Sequence, residues 1–350
     1  MVRKATSETI DQANIFFSCA GRRVSLVEQF RRAAAELRLR SFILGSDINP
    51  LSPALYACDK HVINRPITDP GYISGLLAIS KKHKIRLLVP TIDTELHLLA
   101  ENRDRFAEIG TNVLVSAPGV VSICQDKRLT YRFLTDHGFG TPASWGANEV
   151  RIKELRFPVF LKRWDGSASI GVAVAHDAEE FRYWRKRISN CMVQELVCGT
   201  EYTCDAYVDF DMKVRCVVPR KRISVRAGEV SKGQTARLPK IMAEVKRLVE
   251  VLGAGPGVIT VQCFLTPNDE IKIVEINPRF GGGAPLSIQA GADFPKWILQ
   301  ELIGRKPKII FDGWQDGVYM LRYDEAIWCR QQTVRGKSVL LRTVSPAKGH

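Results

Sequence analysis

An acid, an amide and a guanidinium stand at every second position in residues 274–283, VEINPRFGGG. Side chains alternate between the two faces of an extended strand, so Glu275, Asn277 and Arg279 share one face. Val274 and Ile276 fall on the opposite face, where they would pack against a core. A strand with one solvated face would accept any polar residues there. Three chemically distinct ones indicate a binding surface.

The strand before this one adds a fourth polar group to the same face. If residues 267–270 form a four-residue hairpin loop, antiparallel pairing sets Gln262 opposite Glu275, and paired residues project to the same side. Gln262, Glu275 and Asn277 would then offer one carboxylate and two amide oxygens. Mg²⁺, or Mn²⁺ in its place, takes oxygen ligands and keeps positions for water or substrate phosphates. The hairpin therefore predicts a metal–phosphate platform, with a solvated polar strand face as the alternative.

Groups suited to anions follow the platform along the chain. Arg279 can hold a phosphate or a carboxylate with two parallel hydrogen bonds. The glycines at 281–283 have no Cβ, so their backbone N–H groups can approach an anion closely. This stretch predicts an anion site beside the metal.

A lysine and a glycine-bearing loop form a second candidate phosphate site. Lys162 follows the apolar residues FPVFL, and the loop DGSASIGV comes directly after that strand. Gly166 and Gly171 bracket small side chains, among them Ser167 and Ser169, so the loop can close over a phosphate chain. Glycines are also common in ordinary hairpin turns, and that alternative stays open.

Two glutamates flank the next turn. Glu195 ends the strand CMVQE, and Glu201 follows a turn at Gly199. An extended segment at this point can bond adenine through its backbone while an acid reaches the ribose hydroxyls. Taken singly, such glutamates are more often solvated surface residues.

Strands and helices alternate through the first 120 residues, which predicts a parallel sheet covered on both faces, as in a Rossmann-like domain. The turn after the first strand has one glycine, Gly21, followed by Arg22 and Arg23. A G-x-G-x-x-G dinucleotide site needs small residues at these positions. Asp47, at the end of the second strand, is therefore interpreted as a turn or capping residue, and a dehydrogenase is disfavoured.

The pattern changes after a helix predicted over residues 119–139. Antiparallel strands with few helices then predict an α+β region, and the last residues, which carry several bases and no acid, predict a mobile tail. The predicted division is 1–120, 121–325 with a small lid subdomain at 135–197 and a large subdomain at 198–325, and 326–350.

Composition narrows the function classes. No run approaches the ~18 apolar residues of a membrane-spanning helix. The nine cysteines are scattered without a C-x-x-C pair, so we expect a cytoplasmic protein without a zinc or redox motif. The 51 basic and 37 acidic residues give a net charge of +14, which nucleic-acid binders also show. Because the bases are spread along the chain, a site for nucleotide polyanions explains them at least as well.

Taken in order, these pieces resemble the ATP-grasp superfamily. The similarity is carried by the helix QDKRLTYRFL, the strand PVFLKRW, the loop DGSASIGV, the hinge VQELVCGTEYT, the hairpin ending in EIKIVEINPRFGGG and the helix GADFPKWILQELIG. Within the superfamily, the chain looks like one synthetase unit of the carbamoyl-phosphate synthase large chain over residues 14–310. The resemblance implies an α/β and α+β chain, with a Rossmann-like pre-ATP-grasp domain before a two-subdomain ATP-grasp fold.

The resemblance also implies a role for each matching position. Glu275 would bind Mg²⁺ with Gln262 and Asn277, and Arg279 would stabilise the transferring phosphoryl group or the acyl oxyanion. The residues implied to hold ATP are Lys127 and Lys162 at the phosphates or the edge of the nucleotide, Glu195 and Val197 at the adenine, and Glu201 at the ribose.

The departures from the family bear on the reaction. With one synthetase unit and no glutaminase region, the resemblance implies a carboxylate–amine (or carboxylate–thiol) ligase in place of carbamoyl phosphate synthesis. ATP would phosphorylate the carboxylate, and the amine would then displace phosphate. Gln262 replaces the acid of many relatives, which makes the metal site less anionic. The alternatives are a nucleotide-binding regulatory module without turnover, a protein acting on nucleic acid or another polyanion, and a kinase-like enzyme that releases the acyl phosphate.

The substrates are the least determined part. Three arginines, Arg220, Arg222 and Arg226, lie in a segment that resembles the loop bordering the acceptor site in relatives. They would favour an anionic, amino-acid-like substrate, with a basic hairpin in solvent as the alternative. Ligands of parallel sheets bind at the carboxyl ends of strands, where the chain has Arg22, Arg23, Thr91, Asp93 and Glu95. A homodimer is left open.

Overall fold

A computed structural model of the chain describes residues 12–166, 170–226, 228–334 and 337–343. The N-terminal strands are β1 (Asn14–Ser18), β2 (Ile43–Asp47), β3 (Lys60–Ile63), β4 (Ile85–Pro90) and β5 (Asn112–Val113). They form a parallel sheet in the order β3-β2-β1-β4-β5. The helices of this part are α1 (Val24–Glu36), α2 (Pro53–Ala57), α3 (Tyr72–Lys82), α4 (Leu96–Glu101) and α5 (Arg103–Glu108).

Both faces of this sheet are buried because its central strands are apolar at successive positions. In β1, Ile15 and Phe17 pack into one core, and Phe16 packs into a second core on the other face. The ring of Phe17 meets that of Phe30 on α1 edge-on, with centroids 5.3 Å apart. The alternating pattern therefore produces the predicted Rossmann-like sheet.

Two antiparallel sheets follow. After α6 (Pro118–Gln125) and α7 (Lys127–Asp136), a four-stranded sheet has the order β6-β9-β7-β8 and carries one helix. Its elements are β6 (Ser144–Gly146), β7 (Val159–Arg163), β8 (Val172–Ala175), α8 (Ala178–Arg187) and β9 (Cys191–Glu195).

The larger antiparallel sheet has six strands. They are β10 (Thr200–Val208), β11 (Val214–Arg226), β12 (Glu229–Thr235), β13 (Gly257–Leu265), β14 (Ile271–Asn277) and β15 (Tyr319–Leu321), paired in the order β14-β13-β10-β11-β12-β15. The remaining elements are α9 (Pro239–Leu252), α10 (Ala284–Gln289), α11 (Phe294–Leu302), β16 (Cys329–Val334) and β17 (Lys337–Arg342).

One apolar core joins the parallel sheet to the six-stranded sheet. Ile241, Val245 and Leu248 on α9 recur at helical spacing and belong to this core together with residues of β1 and α1. Phe30 of α1 also meets Phe280, which follows β14, at 5.9 Å between ring centroids. The loops at the end of β1 and β4 are thereby brought next to the hairpin of β13 and β14. Within the described ranges, no helix has the length and apolarity needed to cross a membrane.

Two predictions about elements are wrong. The helix predicted over residues 119–139 is broken at Asp126. The backbone of this residue is extended, and its side chain caps α7 by accepting from the backbone N–H of Arg128 at 2.9 Å. The segment predicted as a tail contains the hairpin of β16 and β17. Arg342 ties that hairpin to the N-terminal part by donating to the carbonyl oxygen of Tyr56 at 3.3 Å.

Candidate active site

A cavity of about 680 Å³ is lined by segments that lie far apart in sequence. They are the loops after β1 and β4, the start of α7, the strands β7 and β9, and the strands β10 to β14. Among the described residues of the wall, the basic ones outnumber the acidic ones, which suits a polyanion. The basic residues are Arg23, Lys127, Lys162, Arg163, Arg220, Arg222 and Arg279, and the acidic ones are Asp93, Glu195, Glu201, Glu229 and Glu275.

The three predicted metal-binding residues meet in this wall. Gln262 of β13 is paired with Glu275 of β14, as the sequence predicts. Asn277 is paired with Thr260, two residues further along each strand. All four residues line the cavity. The hairpin therefore presents one carboxylate and two amide side chains to the same space.

The hairpin reaches this register by a different path from the predicted one. Leu265 pairs with Ile271, so the loop has five residues, one more than predicted. A bulge at Val274 restores the pairing further along, because it adds one unpaired residue to β14. The bulge also turns Val274 into the cavity wall, which corrects its predicted place in the core, while Ile276 is fully buried as expected.

The donor set fits a Mg²⁺ ion that shares its ligands with a nucleotide. Glu275 makes no hydrogen bond, and no ion pair within 4 Å, with another described residue, so its oxygens are free to bind a cation. The described residues contain no group of three or more His, Cys, Asp or Glu side chains that could enclose a metal by themselves. An ion here would need phosphate oxygens or water to complete its shell, which is the habit of Mg²⁺.

Arg279 lies beside the platform and connects it to the N-terminal sheet. Its Nη2 donates to Asp93 Oδ2 at 2.5 Å, and its Nη1 donates to the carbonyl oxygen of Phe280 at 3.1 Å. The buried Nε has no hydrogen-bond partner among the described residues. A buried, unpaired donor is costly in a folded protein, so Arg279 has binding capacity that the chain itself does not use.

Lys162 is buried with its ammonium facing the same cavity. Its Nζ donates to Gln194 Oε1 at 3.0 Å, and the Nε2 of Gln194 donates to Ser144 Oγ at 2.9 Å. Burial lowers the pKa of Lys162 to about 8; the negative charge of Glu275 opposes this shift, and the positive charge of Lys127 adds to it. The lysine is thus held in place by a neutral amide and has no paired carboxylate among the residues that the structure describes.

This burial makes nucleotide affinity sensitive to pH. We expect the affinity for Mg·ATP to fall above about pH 8, by up to about tenfold per pH unit, because a neutral Lys162 no longer attracts phosphate. Isothermal titration with Mg·ATP at a series of pH values checks this. The variant Lys162→Gln should bind more weakly and lose this pH dependence, and equal pH profiles for the two proteins would contradict the assignment.

The same shift affects stability in a defined direction. Because the folded pKa of about 8 lies below the ordinary lysine value of 10.5, the unfolded chain binds more protons between these two pH values. The contribution of Lys162 to the free energy of unfolding therefore rises with pH through this window.

Lys127 contacts the loop that is predicted to cover the phosphates. Lys127 Nζ donates to the carbonyl oxygen of Gly166, and both residues line the cavity. Gly171 is not among the lining residues; its φ of +70° serves the turn, where it packs on Arg163. Ser167 and Ser169 lie outside the described residues.

The predicted nucleotide hinge also lines the cavity. Glu195 and Val197 do so at the end of β9, and Glu195 Oε2 accepts from the backbone N–H of Ala143 at 3.2 Å. Glu201 lies 3.2 Å from Arg222 Nε, as an ion pair without the angle of a hydrogen bond. Burial raises the pKa of Glu201, Arg222 opposes this shift, and the charge of Glu275 adds to it.

Arg220 is buried in the cavity wall, which excludes the alternative of a solvated basic hairpin for this residue. Its Nε and Nη2 donate to the two carboxylate oxygens of Asp205 at 2.8 and 2.9 Å, and Ser287 Oγ donates to Asp205 at 2.6 Å. Its Nη1 bonds to no described residue and lies against Gly283, where a Cβ would come within 2.1 Å of it. One edge of the guanidinium is therefore structural, and the other remains open to a ligand.

Breaking this pair should destabilise the protein strongly. The change Asp205→Ala leaves the Arg220 charge buried without a partner, so we expect the free energy of unfolding to fall by about 3–5 kcal/mol. Urea unfolding followed by circular dichroism measures this. The exposed pair of Lys246 and Glu250 provides the control, because Glu250→Ala should cost less than about 1 kcal/mol. Similar losses in both variants would show that burial does not increase the cost of breaking the pair of Arg220 and Asp205.

Arg226 does not belong to the cavity wall. Its guanidinium forms an ion pair with Asp324 on the surface, and its side chain is 72% exposed. An irregularity in the strand explains the difference. The pairing of β11 with β12 shifts register between Arg222 and Val225, so Val225 lines the cavity in place of its even-numbered neighbours and Arg226 points away from it.

Glu95 is fully buried and absent from the cavity wall. It accepts from the hydroxyl of Tyr72 at 2.9 Å and from the backbone N–H of Thr91 at 3.2 Å. Burial raises the pKa of Glu95, and its hydrogen bonds oppose that shift. It therefore holds the loop after β4, whose neighbours Thr91 and Asp93 do reach the cavity.

Gln194 and Glu229 are among the wall residues that sequence reasoning missed. Gln194 could have been found, because it is a polar residue within an otherwise apolar strand next to the hinge. Glu229 had no local signal, since its importance comes from Arg23, whose Nη1 donates to it at 3.2 Å across 206 positions of sequence. Arg22, predicted beside Arg23, is largely exposed and does not line the cavity.

Comparison with known families covers both halves of the chain. Residues 15–114 match the family described as PylC-like, N-terminal domain, and residues 124–283 match the family described as ATP-grasp domain. The vancomycin/teicoplanin A-type resistance protein VanA of Enterococcus faecium is 26% identical over 181 residues, which are 45% of this chain and 52% of that protein. The chain thus aligns with about half the length of this relative.

Solved structures share the fold at low identity. The ADP complex of N5-carboxyaminoimidazole ribonucleotide synthetase superimposes with a TM-score of 0.68 and 17% identity, covering 88% of this chain and 81% of that one. The L-amino acid ligase from Bacillus licheniformis gives a TM-score of 0.65 and 16% identity, covering 86% and 75%. The family matches, the shared fold and the order of the motifs agree: residues 124–283 are similar to an ATP-grasp domain, and residues 15–114 before them are similar to a PylC-like N-terminal domain.

Proposed function

We propose that this protein is an ADP-forming ligase that joins a carboxylate to an amine. The observation that carries the proposal is the meeting of Glu275, Lys162 and Arg279 in one cavity of an ATP-grasp domain. These are the parts that phosphoryl transfer requires, namely a cation platform and fixed positive charges around the phosphates. No Ser or Cys nucleophile is needed.

The proposed reaction has two balanced steps. A carboxylate oxygen attacks the γ-phosphorus of ATP, the bond to the β-phosphate oxygen breaks, and ADP leaves. The neutral amine then attacks the acyl carbon, the bond between that carbon and the phosphate oxygen breaks, and phosphate leaves with that bond's electrons. The amine nitrogen loses a proton, so the products are an amide, ADP, phosphate and H⁺.

ATP would bind along the wall formed by α7, β7 and β9. Lys127 and Lys162 would hold the phosphates, Val197 and Glu195 the adenine edge, and Glu201 the ribose. The loop that contains Gly166, Ser167 and Ser169 would cover the phosphates. The solved relative in complex with ADP supports a nucleotide site in this fold.

Gln262, Glu275 and Asn277 would hold Mg²⁺, or Mn²⁺ in its place. The bound ion would neutralise negative charge on the phosphates. Glu275 contributes the only carboxylate of this set, which fits an ion that takes most of its remaining ligands from the nucleotide. Arg279 would bind the transferred phosphoryl group or the acyl oxygen through donors that the chain leaves unpaired.

Amino-acid-like compounds are the proposed substrate class. One relative supports it by name, the L-amino acid ligase from Bacillus licheniformis. Arg220 and Arg222 would face these substrates, whereas Arg226 lies outside the cavity. We also propose that residues 1–120 and 121–325 act as separate domains, with 135–197 as the lid, and that the protein works in the cytoplasm.

The test is ATP consumption across a panel of carboxylates and amines with Mg²⁺, resolving ADP from AMP. ADP and phosphate that appear only with one acid–amine pair, and that vanish when EDTA removes the metal, are the expected result. AMP and pyrophosphate would contradict the acyl-phosphate route. Tight binding of Mg·ATP without turnover for any pair would favour a regulatory module.

A further inference from the structure

A cluster of arginines surrounds Glu229 at the cavity wall. Arg23 donates to Glu229 Oε1 at 3.2 Å, and Arg322 donates to Glu229 Oε2 at 3.1 Å. Arg22 is 4.0 Å from the same carboxylate, so three positive charges face one negative charge. We call Arg22, Arg23, Arg322 and Glu229 the Glu229 cluster. It carries a net excess of two positive charges.

Arg23 is the arginine of this cluster that faces the cavity. It lines the wall together with Glu229, and its side chain is only 18% exposed. Burial lowers the pKa of Arg23; Glu229 opposes this shift, and the nearby charges of Arg279 and Arg322 add to it. Its Nε and Nη2 have no hydrogen-bond partner among the described residues, so two donor groups are open to a ligand.

The backbone around Arg23 is arranged to hold the guanidinium still. Asp47 Oδ2 accepts from the backbone N–H of Gly21 at 2.8 Å and so shapes the loop that carries Arg23. A Cβ at Gly282 would lie 2.6 Å from Arg23 Nη1, and a Cβ at Gly283 would lie 2.1 Å from Arg220 Nη1. The two glycines therefore let both guanidinium groups press against neighbouring positions of one backbone turn.

We propose that the amine substrate carries an anionic group, a carboxylate or a phosphate, and that Arg23 together with the open Nη1 of Arg220 binds this group. The inference rests on the proposed ligase function and names the substrate class at one end of its cavity. The phosphates of ATP have other cations, Lys127 and Lys162, on α7 and β7. Arg23 comes from the loop after β1 and contacts β12, so its charge serves a different ligand.

The positive charge of this wall suits the binding of the amine substrate better than the binding of the carboxylate that is activated. The attacking amine must be neutral, and the excess positive charge of the Glu229 cluster disfavours its ammonium form. An anionic group on the same molecule lets the cavity attract the substrate while the field still favours the neutral nitrogen. The carboxylate that accepts the phosphoryl group has Arg279 and the metal platform beside it and needs no further cation.

The turnover test uses amines in matched pairs with the full panel of carboxylates. Each amino acid is compared with its amide, and phosphoethanolamine is compared with ethanolamine, which separates carboxylate from phosphate recognition. We expect ADP release only with anionic members of the pairs. In the variant Arg23→Gln, the KM for that amine should rise about 10- to 100-fold, since a hydrogen bond to a charged group is lost. The KM for ATP should not change.

Arg226→Gln is the control, because it removes an equal charge from an exposed side chain that pairs with Asp324 and does not line the cavity. It should leave both KM values within about twofold, as surface charges contribute little. Equal use of neutral and anionic amines would overturn the inference, and so would an unchanged KM in Arg23→Gln.

A binding experiment distinguishes a failure of this inference from a failure of the proposed ligase function. The protein saturated with Mg·ADP is titrated with glycine, glycinamide, phosphoethanolamine and ethanolamine, and chemical shifts are followed by NMR. Binding of an anionic probe that is lost in Arg23→Gln and kept in Arg226→Gln supports the anion site even if no pair in the turnover panel reacts. Failure of every anionic probe to bind in an Arg23-dependent way would reject the site while leaving the ligase function to the ADP assay.

Discussion

ATP turnover should fall by at least about 10³-fold when Glu275 is replaced by alanine, because the proposed site for the cation that neutralises the phosphates loses its only carboxylate. Glu275 lies in the cavity wall and makes no hydrogen bond to a described residue, so its removal takes nothing from the core. The free energy of unfolding should therefore stay within about 0.5 kcal/mol of the unmodified protein. Steady-state ADP release measures the first quantity and urea unfolding the second.

Two further variants make this prediction specific. Glu275→Gln keeps the shape of the side chain and removes only the charge, so it should lose most of the activity and require more Mg²⁺. Glu270→Ala removes an exposed carboxylate from the turn of the same hairpin, outside the cavity, and should leave turnover unchanged. Turnover within about tenfold of normal in Glu275→Ala would reject the metal assignment.

The second large effect is expected for Arg279→Lys. Arg279 uses Nη2 for Asp93 and Nη1 for the carbonyl oxygen of Phe280, and its Nε is still free. A lysine is a single point of charge that cannot meet both neighbours and also bind a phosphoryl oxygen. We expect kcat to fall about 10²- to 10³-fold, the typical loss when one fixed donor to a developing charge is removed. The KM for ATP should change much less.

The chain offers a matched control for this change. Arg215→Lys replaces an arginine on β11 that also pairs with an aspartate, Asp209, at 3.3 Å but lies outside the cavity. It should leave kcat unchanged. The two variants should also respond differently to Mg²⁺. Excess Mg²⁺ should partly restore the activity of Glu275→Gln and should not restore that of Arg279→Lys. A normal rate in Arg279→Lys would mean that Arg279 serves only to hold Asp93.

Local periodicity accounts for the parts of the site that could be predicted. A strand exposes alternate residues to one face whatever surrounds it, so Glu275 and Asn277 could be assigned to one face from their spacing alone. Pairing within a hairpin depends on a few neighbouring residues, which is why Gln262 could be set opposite Glu275. The order of the motifs was enough to predict the similarity of residues 124–283 to an ATP-grasp domain.

The errors also have local causes. The hairpin loop is one residue longer than predicted, and the unpaired residue at the Val274 bulge compensates for it. Because the pairing of Gln262 with Glu275 is the same in both cases, the sequence pattern does not distinguish them. Alternation from Arg220 and Arg222 would place Arg226 on the same face, but a register shift between Arg222 and Val225 turns it away from the cavity. Glu95 was assigned by its place at a strand end, whereas hydrogen bonds to Tyr72 and Thr91 hold it inside the core.

The sequence by itself determined most of the elements, the fold class and the face on which the proposed metal-binding residues stand, because strand and helix periods act over a few residues. Only the tertiary structure decided which distant groups meet. The pairs of Arg279 with Asp93 and of Arg23 with Glu229 join the parallel sheet to the antiparallel one across 186 and 206 positions. Such contacts follow from how the shared core packs the two sheets together, and no local pattern in the chain records that packing.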